Sequence, residues 1–117
     1  MTDTLKKRSG EAVLFDLDCT LMLAPDETVV GTPVMSYLPT GMTGTAALTF
    51  GSPLVNSSAV TYPDGLTATL GKVIQVRTSG GQPVTLTSPR VYTVLATFST
   101  SRGDTRVARG LLQVLSN

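Results

Sequence analysis

The sequence contains no histidine, no tryptophan and a single cysteine, and charged residues make up only 15% of it. Without histidine, the chain lacks the side chain that most often serves as a general base or metal ligand near neutral pH. Cys19 has no second cysteine to pair with, which excludes a scaffold stapled by internal disulfides. The formal net charge of +1 does not point to nucleic acid as a partner. We therefore expect a protein that is not an enzyme and that holds no cofactor or metal.

The low content of charged residues also leads to an expectation about the protein surface. Soluble domains usually carry charge on about a quarter of their residues, so this composition predicts a surface that neighbouring subunits partly cover. The N-terminal residues show no apolar run of signal-peptide shape, and no stretch approaches ~20 consecutive apolar residues. We expect the chain to be made and folded in a cytoplasm, with no membrane contact.

Threonine, serine, valine and leucine are abundant, and this composition favours strands over helices because β-branched side chains suit a pleated, half-buried surface. Residues 13–23 are apolar at every odd position, which predicts one continuous strand with a face in solvent. Turn residues recur about every ten positions, for example at 79–83 and 101–104. The sequence predicts an all-β fold, an immunoglobulin-like or fibronectin III-like β-sandwich of about seven or eight antiparallel strands.

The length of 117 residues suits one domain with one core. We predict that residues 1–11 form an N-terminal arm and that residues 12–117 form a single immunoglobulin-like sandwich domain. The arm contains the basic run Lys6, Lys7 and Arg8. Such a run is typically a solvated tail, and its functional alternative is an arm that docks onto an acidic neighbour.

Five residues are predicted to have structural roles. Tyr92 opens the penultimate strand, where immunoglobulin-like sandwiches place a tyrosine whose hydroxyl bonds nearby backbone; a ligand-stacking role is its alternative. Gly80 and Gly81 break the chain after a strand, and Gly103 occupies a hairpin corner, all positions where glycine tolerates positive φ. Cys19 shares the apolar parity of its strand, which predicts a buried, inert side chain.

Residues 12–21, AVLFDLDCTL, resemble the first motif of the haloacid-dehalogenase-like phosphatases, with Cys19 at the position of that family's glycine. The resemblance implies Asp16 as nucleophile and Asp18 as general acid/base, both holding magnesium. In that family the motif ends a buried parallel strand of a doubly wound sheet, whereas the alternation here continues past Asp18 into a turn-rich β pattern. A phosphatase built on Asp16, Asp18 and Thr20 is therefore kept as a remote alternative.

A second resemblance covers more of the chain. In its N-terminal part, a basic lead-in is followed by the D-x-D strand and by Glu27-Thr28. In its C-terminal part, one strand ends in S-G-G, a short loop leads to Y-x-V, and a T-S-x-G hairpin precedes the final strand. The three C-terminal segments are residues 74–81, 90–94 and 98–105. Together these features resemble the small bacteriophage fibre-tail adaptor proteins, which are immunoglobulin-like virion components.

The resemblance implies a structural virion protein, an adaptor or connector in the tail that docks tail fibres or neighbouring tail proteins. Its partners would be tail, portal or adaptor, and fibre proteins, with several copies around the tail axis, and it would be assembled in the bacterial host cytoplasm. Affinity would come from apolar and main-chain contacts, including strand addition at an exposed sheet edge. The alternative is an immunoglobulin-like cell-surface or carbohydrate-binding module, although the chain has only three tyrosines and three phenylalanines.

Overall fold

A computed structural model describes residues 4–63 and 65–116. Residues 1–3 of the predicted arm, together with Asp64 and Asn117, lie outside the described residues. The described part contains ten strands and two short 3-10 segments, Thr20–Met22 and Gly44–Ala46. The strands are β1 (Thr4–Arg8), β2 (Val13–Asp18), β3 (Val29–Leu38), β4 (Leu48–Phe50), β5 (Leu54–Val55), β6 (Val60–Thr61), β7 (Thr67–Ala68), β8 (Val73–Gly80), β9 (Arg90–Thr100) and β10 (Thr105–Leu115). The prediction of an all-β chain is confirmed, and within the described residues no helix has the length and apolar character needed to cross a membrane.

The first sheet has four strands in the order β1-β10-β9-β3. β9 pairs antiparallel with both β10 and β3, and residues 101–104 form the predicted turn between β9 and β10. β1 pairs with β10 in parallel, so the prediction of a wholly antiparallel sandwich was wrong at this strand. The pairing joins opposite ends of the chain, and no local pattern in the sequence reports it.

The second sheet is built on β8. β2 pairs with one side of β8, and β4 and β5 pair in succession with its other side, all antiparallel. β6 and β7 form a separate two-stranded hairpin. The described strands exceed the predicted seven or eight because β5, β6 and β7 are only two residues long, too short for a period of two to be visible in the sequence.

The two sheets share one hydrophobic core, which gives the molecule a sandwich-like arrangement. Phe15 and Leu17 of β2 and Tyr92 and Val94 of β9 are buried in the same cluster. The sheets approach each other closely at Gly110 of β10, where an added Cβ would lie 2.6 Å from the ring of Phe15 and 2.7 Å from the Leu17 side chain. A larger residue at this position would push the sheets apart.

The strand predicted over residues 13–23 is shorter than expected. β2 ends at Asp18, and a 3-10 turn follows at Thr20–Met22. The Asp18 carboxylate causes the break, because its Oδ1 accepts hydrogen bonds from the Thr20 amide at 2.9 Å and the Thr20 hydroxyl at 2.5 Å. Leu21, which was predicted on the apolar side of a strand, is consequently 81% exposed.

The predicted N-terminal arm is also corrected. Five of its residues, Thr4–Arg8, form the edge strand β1 of the first sheet. The chain then turns through a backbone hydrogen bond from the Ser9 amide to the Leu115 carbonyl and enters β2 in the other sheet. The strand is therefore a part of the sandwich, and the boundary predicted after residue 11 does not separate it from the domain.

Candidate interaction face

The outer side of the first sheet is lined by aliphatic and hydroxyl side chains. Side chains alternate between the core and solvent along each strand, and paired residues on neighbouring strands share a side. The buried Tyr92, Val94, Ala96 and Phe98 assign the inner side of β9. We define the aliphatic face as the outer residues of three strands: Val30, Val34, Ser36 and Leu38 of β3; Val91, Thr93, Leu95, Thr97 and Ser99 of β9; and Thr105, Val107, Arg109, Leu111 and Gln113 of β10.

The strand register arranges these side chains in cross-strand rows. Read from β3 through β9 to β10, the three central rows are Val34, Thr97 and Val107; Ser36, Leu95 and Arg109; and Leu38, Thr93 and Leu111. The first row has valine on both flanks and the third row has leucine on both flanks. The aliphatic pattern of the first and third of these rows is therefore symmetric about β9, whereas the next row has Val30 on one flank and Thr105 on the other.

The aliphatic face is large and almost uncharged. Val34 is 68% exposed and Val91 is 50% exposed. Arg109 is the single charged side chain among the residues that define the face, and Lys6 of β1 lies beside Gln113 on the same side of the sheet. Three strands about 4.8 Å apart, rising about 3.3 Å per residue along residues 91–99, give a face of roughly 400 Å². Seven of the fourteen residues that define the face are aliphatic, so about half of this area is apolar. Contiguous exposed apolar surface on a soluble domain marks interaction sites.

The β1 edge of the same sheet opposes pairing with another strand. Edge strands are protected by lysines and by charged side chains that point inward, because either penalises an incoming strand. Lys6, Lys7 and Arg8 place three cations in succession on β1. The basic run that suggested a docking arm is thus the part of the sheet least suited to strand addition.

Lys7 points inward and is only 2% exposed. Its Nζ donates hydrogen bonds to the carbonyl oxygens of Arg8 and Glu11, both at 3.0 Å. Burial lowers the pKa of the Lys7 ammonium, and the nearby Glu11 charge opposes this shift. Arg8 is also held in place, since its Nη1 donates to the Ser116 carbonyl at 2.9 Å. Of the three predicted docking cations, Lys6 is the one for which no polar contact holds its side chain within the described residues.

The opposite edge of the sheet, β3, is interrupted. Its register with β9 shifts between Val30 and Val34. Gly31 has φ of 73° at this irregularity, and Pro33 has no amide hydrogen to donate. An incoming strand would therefore find a broken ladder at this edge, which leaves the aliphatic face as the better-suited docking surface of the sheet.

Tyr92 joins three parts of the fold. Its side chain is fully buried, and its hydroxyl donates to the Ala46 carbonyl at 2.5 Å and accepts from the Gln82 amide at 3.2 Å. Its ring packs edge-on against Tyr37, with centroids 5.9 Å apart. The structure places Tyr92 entirely within the protein, so it is not available to stack on a ligand.

The three predicted turn glycines all have positive φ, at 78° for Gly80, 87° for Gly81 and 86° for Gly103. A Cβ on Gly80 would also collide with the Ala47 carbonyl oxygen. Gly103 has open space around it, so its conformation alone requires glycine.

Cys19 follows β2 and is completely buried. Its Sγ donates a weak hydrogen bond to the Leu17 carbonyl at 3.6 Å. Burial, with a smaller contribution from the Asp18 charge, raises the pKa of the Cys19 thiol to about 12. The thiolate is the reactive form, so this cysteine is placed to act as a small core residue.

The two aspartates of the phosphatase-like motif lie on the outer side of β2. Asp16 accepts a hydrogen bond from Gln75 Nε2 at 3.2 Å. Asp18 uses Oδ1 for Thr20 and accepts from the Tyr62 hydroxyl through Oδ2 at 3.1 Å. β2 does stop at Asp18, contrary to our expectation, but it lies in an antiparallel sheet, unlike the parallel strand that the resemblance implied. Across the part of the chain that the structure describes, no three acidic or cysteine side chains are grouped to hold a metal ion.

Two buried charged residues, Lys72 and Glu27, hold the loop before β3, a role that the sequence did not predict for either of them. Lys72 Nζ donates to the carbonyl oxygens of Ala24 at 2.9 Å and Pro25 at 3.0 Å. Glu27 accepts the Ala24 amide at 3.0 Å, and the neighbouring Thr100 hydroxyl and this amide lower the pKa of its carboxyl. Both charges are used in shaping the loop.

No protein-family model matches the chain, and no curated protein matches it.

Proposed function

We propose that this chain is a structural protein of a bacteriophage virion, an adaptor in the tail that docks tail fibres or neighbouring tail proteins through the aliphatic face. The observation that carries the proposal is the face itself. The exposed aliphatic side chains of the face, among them Val34 and Val91, are costly to leave in water, and covering them with a partner would release that cost. The sparse charge of the whole chain supports a surface designed for contact with other subunits.

We further propose that the sandwich is immunoglobulin-like. If β2 to β4 are strands B, C and D, and β8 to β10 are strands E, F and G, the sheets B-E-D and C-F-G reproduce the strand order of that fold. β1 then corresponds to a first strand that pairs with G. Tyr92 near the start of strand F, with its hydroxyl bonded to backbone, supports the same assignment.

In this function the chain acts stoichiometrically, and the resemblance to fibre-tail adaptors supplies the setting. A flat, preformed sheet face can dock without ordering new backbone, so little conformational entropy is lost on binding. Several copies around the tail axis would add weak contacts into a stable connection.

Two matched variants test the proposal in the phage that encodes the chain. Leu95→Lys places a cation at the centre of the aliphatic face, and Leu14→Lys makes the same change on the outer side of the second sheet, where Leu14 is 45% exposed. We expect purified particles to contain the chain in the tail, and particles made without it to lack fibres. Supplied in trans, wild type and Leu14→Lys should restore infectivity, whereas Leu95→Lys should restore at least about tenfold less, because it buries an unpaired charge at the contact.

Particles that carry fibres and infect normally without the chain would contradict the tail role. Equal complementation by both variants would contradict docking through the aliphatic face. Circular dichroism and urea denaturation of the purified variants control for folding, since Leu14 is exposed in the free chain and Leu95, on the outer side of β9, is partly buried.

A further inference from the structure

The near-symmetry of the aliphatic face about β9 has a geometric consequence. Consider a second copy laid face to face, related by a two-fold axis that runs parallel to β9 between the two sheets. β9 then lies over β9, and β3 of each copy lies over β10 of the other. Valine comes opposite valine at Val34 and Val107, and leucine comes opposite leucine at Leu38 and Leu111. In two of the rows derived from the register, aliphatic side chains therefore meet aliphatic side chains across the pair, as an isologous contact requires.

The single charge of the face fits the same arrangement. Arg109 lies on β10, away from the axis, so it comes opposite Ser36 of the second copy and not opposite its own counterpart. The serine hydroxyl can accept a hydrogen bond from the guanidinium. Because this row is centred on Leu95, the twist of about 30° between aligned sheets displaces it less than the outer rows.

We propose that the occupant of the aliphatic face in the free protein is a second copy of this chain, packed sheet to sheet about an axis parallel to β9. The inference rests on the docking role of the face in the proposed function, and it names the partner. An isologous contact of this kind closes on itself, so it makes a finite pair and cannot alone build a ring.

The size of the face sets the strength to look for. Two faces of roughly 400 Å² bury roughly 800 Å² of projected area, which is below the size of stable specific interfaces and within the range of transient contacts, so the pair should dissociate at micromolar to millimolar concentrations. The two Arg109 side chains carry like charges across the pair. Salt screens this repulsion, so raising the salt concentration from ~20 mM to ~500 mM should strengthen self-association. Binding to an acidic partner would instead weaken over the same rise in salt concentration.

The decisive variant is Ser36→Asp. It places a carboxylate opposite Arg109 of the second copy, and symmetry forms this ion pair twice. In the same chain β9 separates the two positions by two strand spacings, about 9.6 Å, and an ion pair within one chain would not tighten the association of two chains. Two exposed pairs should tighten self-association about fivefold at low salt, and less at high salt.

The experiment is sedimentation velocity of the purified full chain over ~5 µM to ~1 mM, where an interface of this size should dissociate. The control is Thr49→Asp, which adds the same charge at an exposed position of β4 in the second sheet. The wild type should form a concentration-dependent dimer, and Ser36→Asp should form a tighter one. Thr49→Asp should not tighten the dimer. Combining Arg109→Ser with Ser36→Asp should remove the tightening that Ser36→Asp causes alone.

Three outcomes would overturn the inference: a monomer at every concentration, a dimer that Leu95→Lys leaves intact, or a dimer that Ser36→Asp weakens. A monomer whose Leu95→Lys variant still fails to complement in the phage would show that the face docks a different partner, and the tail role would stand. If Leu95→Lys complemented normally in the phage but abolished the dimer, the pairing would be confirmed. Docking through the aliphatic face in the tail would then be contradicted.

Discussion

Replacing Tyr92 with phenylalanine tests whether the hydroxyl at the start of β9 stabilises the fold. The ring stays, so the apolar area it buries and its edge-on contact with Tyr37 are unchanged. What is lost is the hydrogen bond to the Ala46 carbonyl and the one from the Gln82 amide. A typical internal hydrogen bond contributes about 0.5–1.5 kcal/mol, so Tyr92→Phe should lower the free energy of unfolding by about 2 kcal/mol.

The assay is urea denaturation followed by far-ultraviolet circular dichroism, with thermal unfolding as a second measurement. A domain of this length has an unfolding entropy of about 0.25 kcal/mol/K, so a loss of about 2 kcal/mol should lower Tm by about 8 °C. The urea dependence of the free energy should not change, because the variant exposes the same surface on unfolding. Tyr37→Phe is the matched control, since no hydrogen bond of the Tyr37 hydroxyl is found within the described residues. Equal stability of the two variants, or a loss below about 0.5 kcal/mol for Tyr92→Phe, would refute the reasoning.

Two further predictions concern the core. Gly110→Ala should destabilise the fold by about 1–3 kcal/mol, because the new Cβ meets Phe15 and Leu17. The control Gly51→Ala, whose Cβ has ordinary contacts, should be neutral or slightly stabilising. Equal stabilities of the two variants in urea would contradict the close approach of the sheets. Since the Cys19 thiol has a pKa of about 12 when folded and near 9 when unfolded, the native state binds more protons between these values, and stability should fall as pH rises above 9, by about 1 kcal/mol at pH 10. Between pH 8 and pH 10, the free energy of unfolding of Cys19→Ala should fall by about 1 kcal/mol less than that of the wild type. Parallel pH profiles of the two proteins would exclude a raised pKa of the Cys19 thiol.

The strands predicted best are those whose inner residues alternate without interruption. Along β9 the alternating apolar residues from Tyr92 to Phe98 are buried, and on β10 the same holds for Ala108, Leu112 and Val114. These strands are long, and a polar turn separates them. Local pattern therefore contains most of the information needed to place them.

The same reasoning failed where a side chain or a distant segment decides the structure. Apolar parity alone predicted that β2 would continue to Leu23, but the Asp18 carboxylate captures the Thr20 amide and ends the strand. β1 pairs with residues 111–115, and that contact is invisible to a pattern read over ten residues. Its polar composition, with only Leu5 apolar, gives no signal of a strand.

The aliphatic face could not be separated from the core by sequence. Leu95 and Val91 on the outer side of β9 are as apolar as Val94 on its inner side, so alternation of residue type is weak there and only the packing of the second sheet assigns the two sides. A face that remains aliphatic after the core is filled is the physical signal for docking, and it appears once both sheets are in place.

The basic run at the N-terminus changes meaning for a related reason. In isolation Lys6, Lys7 and Arg8 suggest an arm that reaches for an acidic partner. On an edge strand, with the Lys7 ammonium bonded to the carbonyls of Arg8 and Glu11, an incoming strand would meet consecutive cations whose desolvation it must offset. Charge is thus concentrated at the edge where unspecific strand pairing would start, and it is nearly absent from the adjacent aliphatic face. This distribution favours association sheet to sheet, in which contact is limited to partners whose side-chain rows match.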